Sequence, residues 1–159
     1  AEGHEASSAI FFAGRENFPV SYGVVEYQWG KAIVHKKGPD GVLLGFGYMV
    51  AKLLETAAIL ATEGIEVSVV SSAYINKPDL DTIQPLLENS KKLITLEDHQ
   101  AKGGAGAIFA QALLEAGTHF SFKAIGMEGE FGQSAYLANE LYEKHKMDPA
   151  TIAKVFKNL

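Results

Sequence analysis

Residues 41–70 read GVLLGFGYMVAKLLETAAILATEGIEVSVV, and this stretch decides the fold class. An apolar run over 42–46 predicts a buried strand, and the apolar residues that recur at helical spacing from 50 to 61 predict a helix. Gly64 ends this helix, and the β-branched run over 65–70 predicts a second buried strand. A strand, a helix and a strand in this order predict a parallel crossover unit.

The same alternation continues towards the C-terminus. Apolar runs over 93–96 and 120–125 predict strands, and helical patterns lie over 78–87, 107–116, 134–142 and 148–156. Ser134 and Asp148 are the expected N-caps of the last two helices, and Pro149 follows Asp148 at the first helical position. The sequence therefore predicts a mostly parallel sheet with helices on both faces.

A turn precedes the central unit. Residues 38–41 are Gly-Pro-Asp-Gly, a strong turn signal, and residues 32–37 before them show a weak strand pattern. Two strands joined by such a turn predict a hairpin between residues 32–37 and 42–46. At least one strand of the sheet should then be antiparallel.

Composition excludes several functional classes. The chain has 159 residues, 47% of them hydrophobic, which is the size and apolar content of one packed domain. It has no cysteine, which excludes disulfide scaffolds and thiolate metal sites and fits a cytoplasmic location. The net charge of −5 argues against nucleic acid or an anionic membrane as a partner. Lys52, Glu55 and Glu63 interrupt the longest apolar stretches, no signal peptide is recognisable, and the histidines show no metal-ligand spacing.

Two glycine-containing turns lie between a predicted strand and a predicted helix. Gly45-Phe46-Gly47 stands where a dinucleotide fingerprint would begin, but Val50 takes the place of its third glycine. We interpret it as a tight strand-to-helix turn. In the second turn, Gly103, Gly104 and Gly106 open a helix whose first backbone N–H groups can hold an anion. These glycines are candidates for a ligand or subunit contact, with plain loop geometry as the alternative.

Asp98 and His99 follow the predicted strand over 93–96, at the edge where open α/β sheets often bind ligands. A histidine beside an acid can carry a proton. No nucleophile elbow accompanies the pair, so we assign no catalytic residue. A polar loop that closes the strand is the alternative interpretation.

Several motifs, in this order and spacing, resemble the C-terminal domain of transketolases. Residues 97–100 (EDHQ) followed by 103–106 (GGAG) are similar to the EDH…GGxG loop of that family, and 1-deoxyxylulose-5-phosphate synthases carry a similar loop. Further resemblances lie at residues 14–20, 41–47, 63–67, 130–135, 140–142 and 148–152. The FGQSA segment over 131–135 favours transketolase over the synthase and over the β-subunit of a 2-oxo acid dehydrogenase.

This resemblance implies a three-layer α/β/α fold with a five-stranded, mixed, mostly parallel sheet in which one strand is antiparallel. It also implies a domain boundary. Residues 1–23, with a strand expected over 9–13, would be the trailing segment of a pyrimidine-binding domain plus a linker. Residues 24–159 would form the transketolase C-terminal-like domain.

The resemblance further implies a function within the pentose phosphate pathway. The family uses thiamine diphosphate and Mg to transfer two-carbon ketol units between sugar phosphates. This chain lacks the family's Gly-Asp-Gly cofactor motif, so we expect it to bind neither group and to be inactive alone. Its partners would be the N-terminal transketolase domains or subunit, in a homodimer. A non-catalytic interaction module on the same fold is an alternative.

Two residue-level expectations follow from the resemblance. Arg15 matches the family arginine that holds the substrate's phosphate, and a guanidinium suits bidentate phosphate recognition. The loop over 98–106 and the alanine-rich helix after it are expected near a subunit or domain boundary.

Overall fold

The computed structural model describes residue 23 and residues 25–159. Arg15 and the strand expected over 9–13 lie outside the described residues, and the domain boundary near residue 23 stays a prediction. The described residues form five strands and five helices: β1 (Ile33–Lys36), β2 (Val42–Gly45), α1 (Met49–Thr62), β3 (Ser68–Ser71), α2 (Leu80–Leu87), β4 (Lys92–Gln100), α3 (Ala105–Glu115), β5 (Ser121–Met127), α4 (Ala138–Lys144) and α5 (Pro149–Lys157).

The strands form one mixed sheet in the order β1-β3-β2-β4-β5. The pairs β2–β3, β2–β4 and β4–β5 are parallel, and β1–β3 is antiparallel. The predicted fold class, a mostly parallel five-stranded sheet with one antiparallel strand, is confirmed.

Alternating residues of the central strands face two separate cores. Leu43 and Val69 contact the core that includes α1 and α5, whereas Leu44 and Val70 contact the core that includes α2 and α3. Side chains of a strand alternate between the faces of a sheet, so a run of apolar residues serves both cores. The domain therefore has three layers, with helices on each side of the sheet.

The predicted hairpin is wrong, although its antiparallel strand exists. β1 pairs with β3, not with β2, and Ile33 lies opposite Ser71. The turn over 38–41 crosses the start of β3: the Glu66 backbone N–H donates to the Asp40 carboxylate, and the Gly38 N–H donates to Ser68 Oγ at 3.1 Å. A Cβ on Gly38 would overlap the Glu66 backbone. These contacts carry β1 past β3 to the edge of the sheet.

The two expected N-caps have different outcomes. Asp148 caps α5, accepting a hydrogen bond from the Thr151 backbone N–H at 2.9 Å, and Pro149 is the first helical residue. Ser134 does not cap α4, which begins only at Ala138. The Glu140 carboxylate accepts the Leu137 N–H at 3.2 Å, so the free amide at this helix start is satisfied from within the first turn.

Asp79 fastens the chain ahead of β1 to α2. Its side chain is 4% exposed, and its carboxylate accepts hydrogen bonds from the Ala32 N–H at 2.9 Å, Thr82 Oγ1 at 2.6 Å and Lys31 Nζ at 3.2 Å. Burial favours the neutral acid, but the hydrogen bonds from Thr82, Ala32 and Lys31 outweigh it and hold the pKa of Asp79 below its usual value.

We expect Asp79→Asn to lower the free energy of unfolding by about 1–2 kcal/mol at neutral pH. A lowered folded-state pKa contributes stability above the unfolded pKa of about 3.9 and loses it as the pH falls through the folded value. The difference in unfolding free energy between the wild type and Asp79→Asn should therefore be constant down to about pH 5 and shrink below about pH 4. Urea unfolding across this range measures it.

The matched control is Asp81→Asn, because Asp81 also contacts Lys31, at 3.3 Å, but its side chain is 88% exposed. It should change stability little at any pH. An Asp79→Asn deficit that is as large in acid as at neutral pH would contradict the prediction.

Candidate functional site

The neighbouring strands β2 and β4 form the switch point of the sheet. Helix α1 follows β2 on one face, and α3 follows β4 on the other. The chain therefore leaves these two strands in opposite directions and opens a crevice at their carboxyl ends. In open α/β sheets such a crevice is the usual place for a ligand.

A cavity of about 420 Å³ lies in this crevice. Apolar residues from α3 and from the loops after β2 and β3 form most of its wall, and polar residues from the end of β4 form its rim. The lining residues are Phe46, Gly47, Ile75, Glu97, Asp98, His99, Gly103, Gly104, Ala105 and Ile108. The structure thus places Asp98, His99, Gly103 and Gly104 around one cavity, and their contact with a ligand or a subunit stays a prediction.

The start of α3 is already occupied by an anion, the carboxylate of Glu97. Glu97 Oε2 accepts the Ala105 N–H at 2.8 Å, and Glu97 Oε1 accepts the Gly106 N–H at 3.0 Å. The residue is 3% exposed. A negative charge at a helix N-terminus is favourable, and it satisfies two amides that have no partner within the helix. The groups that we considered as an external anion cradle therefore serve the chain's own side chain.

Glycines surround this buried carboxylate because nothing larger fits. A Cβ on Gly104 would overlap Glu97 Oε2, and a Cβ on Gly106 would overlap Thr95 Oγ1. On the adjacent strand, a Cβ on Gly126 would lie 2.7 Å from the His99 carbonyl oxygen. Close packing around Glu97 thus accounts for Gly104 and Gly106. A ligand or a partner chain could therefore contact this loop only through the polar residues at the rim of the cavity.

Asp98 and His99 form that rim. His99 Nδ1 lies 2.9 Å from Asp98 Oδ1, and the side chains are 82% and 46% exposed. Within the described part of the chain, no group of three or more His, Asp or Glu residues is placed to hold a metal ion. The pair can offer an acceptor and a donor to a molecule that covers the cavity, and this role stays a prediction.

The strand that carries the pair is longer than predicted. β4 continues to Gln100, with a register irregularity against β5 between Leu96 and Gln100. Gln100 Oε1 accepts the Gly129 N–H at 2.9 Å, and the Ala101 N–H donates to the Met127 carbonyl at 2.9 Å. The end of β4 therefore also fastens the loop that follows β5.

The boundary role of α3 remains a prediction, but the structure limits which residues can serve it. Ala105 is 6% exposed and belongs to the core with α2, whereas Ile108 is 38% exposed at the cavity. A partner could contact α3 only through its outward side. Arg15, the expected phosphate ligand, lies outside the described residues.

Sequence reasoning missed Glu97 as the central residue of the site. The available signal was an acid at the end of an apolar strand, followed eight and nine positions later by the first residues of a glycine-rich helix start.

No helix among the described residues is long and apolar enough to cross a bilayer.

Residues 30–152 match the family model described as "Transketolase, C-terminal domain". The chain is 37% identical over 98 residues to 1-deoxy-D-xylulose-5-phosphate synthase of Synechocystis sp., covering 62% of this chain and 15% of that protein. It is also 37% identical over 86 residues to the mitochondrial pyruvate dehydrogenase E1 component subunit beta of Dictyostelium discoideum, covering 54% of this chain and 24% of that protein.

Among solved structures, the fold matches one titled "Split gene transketolase, inactive beta4 tetramer". The TM-score is 0.83 at 26% sequence identity, and the match covers 91% of this chain and 47% of that chain. The chain thus spans only a part of each protein that it resembles.

Proposed function

Because the chain belongs to the transketolase C-terminal domain family, we propose that it is the C-terminal part of a thiamine diphosphate-dependent transketolase that moves two-carbon ketol units between sugar phosphates. The observation that carries the proposal is the structural match to a split-gene transketolase, which extends over 91% of the chain. The FGQSA segment over 131–135 also supports it.

In this proposal the chain supports catalysis without performing it. The described residues do not fit thiamine diphosphate, because the helix start that could hold a diphosphate is filled by Glu97, whose negative charge would repel it. We therefore assign the cofactor and its Mg to the N-terminal domains or subunit. The cavity at the carboxyl edge, with Asp98 and His99 on its rim, would face the substrate channel or the neighbouring domain.

The second candidate is 1-deoxyxylulose-5-phosphate synthase. It is favoured by the 37% identity to the Synechocystis enzyme over 98 residues. The two candidates differ in the molecules that they join, so activity on defined substrates separates them.

The test is reconstitution of this chain with the polypeptide that carries the thiamine-binding domains, in the presence of thiamine diphosphate and Mg. We expect the chain alone to be inactive and the combination to transfer ketol units from a ketose phosphate to an aldose phosphate. A parallel assay with pyruvate as the two-carbon donor, whose third carbon leaves as CO2, and a three-carbon aldose phosphate as the acceptor tests the second candidate, and formation of 1-deoxyxylulose 5-phosphate there would establish it. If the combination shows neither activity, the chain is better explained as a non-catalytic interaction module.

The same assay tests Arg15, the only arginine in the sequence. If it holds the substrate's phosphate, Arg15→Ala should raise KM for phosphorylated sugars about 10- to 100-fold, the value of a hydrogen bond to a charged group. The KM for unphosphorylated sugars should change little. Arg15→Lys keeps the charge but loses the bidentate geometry, so its effect should be intermediate. Equal effects of Arg15→Ala on both kinds of sugar would contradict the assignment.

A further inference from the structure

Another cavity lies beside β5, the strand at one end of the described sheet. Its volume is about 290 Å³, and it is lined by β5, the loop after β5, the turn between α4 and α5, and α5. These residues are different from those that line the cavity at the carboxyl edge. We call it the β5 cavity.

Three lysines from two parts of the chain line the β5 cavity. Lys123 belongs to β5, Lys144 lies in the last turn of α4, and Lys146 lies in the turn that follows. None of the ion pairs among the described residues includes any of the three. Three positive charges therefore meet at one concave surface without an acidic partner in contact.

The end of α4 explains only part of this arrangement. A cation near a helix C-terminus is favourable, which accounts for Lys144. Lys146 has a φ of 59°, a conformation that glycine usually adopts at this position after a helix, yet the residue here carries a charge. Lys123 comes from a different element, so the helix end does not account for its position. The convergence of the three charges indicates an anionic ligand.

A buried histidine also lines the β5 cavity. The His145 side chain is 7% exposed, and its Nδ1 lies 3.8 Å from Glu130 Oε2, which is longer than a hydrogen bond. Buried polar groups are normally hydrogen-bonded, so a nitrogen that is left beside a cavity is suited to a ligand. His145 thus adds a polar contact that the surrounding water reaches poorly.

Carboxylates and apolar side chains complete the β5 cavity. Glu128 and Glu130 lie at exposed positions, and Ile125 and Val155 supply apolar surface. The carboxylates would repel a ligand that is only an anion, but they accept hydrogen bonds from hydroxyl groups. A phosphate ester of a sugar satisfies both requirements, because its phosphate pairs with the lysines and its hydroxyl groups can donate to the glutamates.

We propose that the β5 cavity binds a small sugar phosphate, with the phosphate held by Lys123, Lys144 and Lys146. The volume of the cavity is at the lower end of the usual range for ligand sites and suits a small molecule. This site is additional to the substrate phosphate contact expected at Arg15. The inference does not depend on the proposed function, because it uses no catalytic step and no other polypeptide.

The ¹H–¹⁵N NMR spectrum of the full chain, titrated with glucose 6-phosphate, tests the site. We expect saturable shifts of the backbone amides of residues 123–126 and 144–146, and no such shifts with glucose. Lys123→Gln and Lys144→Gln should each raise the dissociation constant about tenfold, because each removes a charged partner of the phosphate. Lys77→Gln makes the same charge change at an exposed position ahead of α2 and should leave the dissociation constant unchanged.

Two further variants test the remaining contacts. Glu130→Ala removes a hydroxyl acceptor and a repelling charge, so it should reduce the preference for glucose 6-phosphate over inorganic phosphate. His145→Phe keeps a buried ring and loses the hydrogen bond, so it should weaken binding of both probes.

Three results would overturn the inference. They are the absence of saturable shifts up to about 10 mM glucose 6-phosphate, equal shifts with glucose, and wild-type affinity in Lys123→Gln. Since these titrations use the chain alone, their outcome is separate from reconstituted activity, on which the proposed function depends.

Discussion

Glu97→Ala is expected to lower the free energy of unfolding by about 3 kcal/mol, because two buried N–H groups lose their acceptor at once. The carboxylate accepts hydrogen bonds from the Ala105 and Gly106 amides at 2.8 and 3.0 Å and is the side-chain acceptor that both amides use among the described residues. Truncation also leaves a gap beside Gly104 and Gly106 that their hydrogen atoms cannot fill. Urea unfolding monitored by circular dichroism gives the value.

Two variants make the result specific. Glu97→Gln retains one acceptor oxygen but removes the charge that favours the helix N-terminus. It should therefore lower the free energy of unfolding by about half as much as Glu97→Ala does. Glu128→Ala, at an exposed position, should change the free energy of unfolding by less than about 0.5 kcal/mol. If Glu97→Ala were as stable as Glu128→Ala, the carboxylate would not hold α3 to β4.

Phe156→Ala is expected to cost about 3–5 kcal/mol, the range for removing a large buried aromatic ring. Phe156 is 2% exposed and fixes α5 to the core beneath α1. Its ring fills the space that a side chain on Gly41 would need, and Lys92 Nζ lies 5.4 Å from its centroid. The change therefore loosens the start of β2 as well as the last helix.

Phe131→Ala is the matched control, since it removes the same ring from a position that is 96% exposed. In the monomer its effect should be within about 0.5 kcal/mol of zero. Thermal unfolding at a concentration where the chain is monomeric compares the two variants. A small effect of Phe156→Ala would mean that α5 is not part of the cooperative core.

The sequence alone predicted those elements of the fold that are determined by residues close together in the chain. The strand–helix–strand pattern of 41–70 predicted the central parallel unit, and Asp148-Pro149 marked the start of α5. In both places the residues that form the element are neighbours in the chain. Periodicity and capping then describe the relevant contacts.

The hairpin error shows the limit of local reasoning. Residues 38–41 have turn chemistry, and they do form a turn, but their hydrogen bonds reach Glu66 and Ser68. Which strand β1 pairs with is therefore decided by contacts about 26–30 positions away, as these bonds show. No pattern within the turn itself contains that information.

The site was found only in outline for a similar reason. Asp98, His99, Gly103 and Gly104 do meet at one cavity. The sequence could not show that Glu97 turns inward and satisfies the helix start. Residues 97–100 are four consecutive polar residues, and the register of β4 against β5 is irregular between Leu96 and Gln100, so a strict strand alternation does not tell which of them is buried.

The placement of β1 affects how the protein can be synthesised. Ile33 pairs with Ser71, 38 positions later, so β1, the first of the described strands to leave the ribosome, has no partner among these strands until β3 has followed it. At about 5–20 residues per second, translation takes about 2–8 seconds to cover that distance. During this interval the nascent chain exposes an unpaired β1 edge. A chaperone or the preceding part of the polypeptide would have most effect on folding yield in that interval, and slower translation between β1 and β3 would lengthen it.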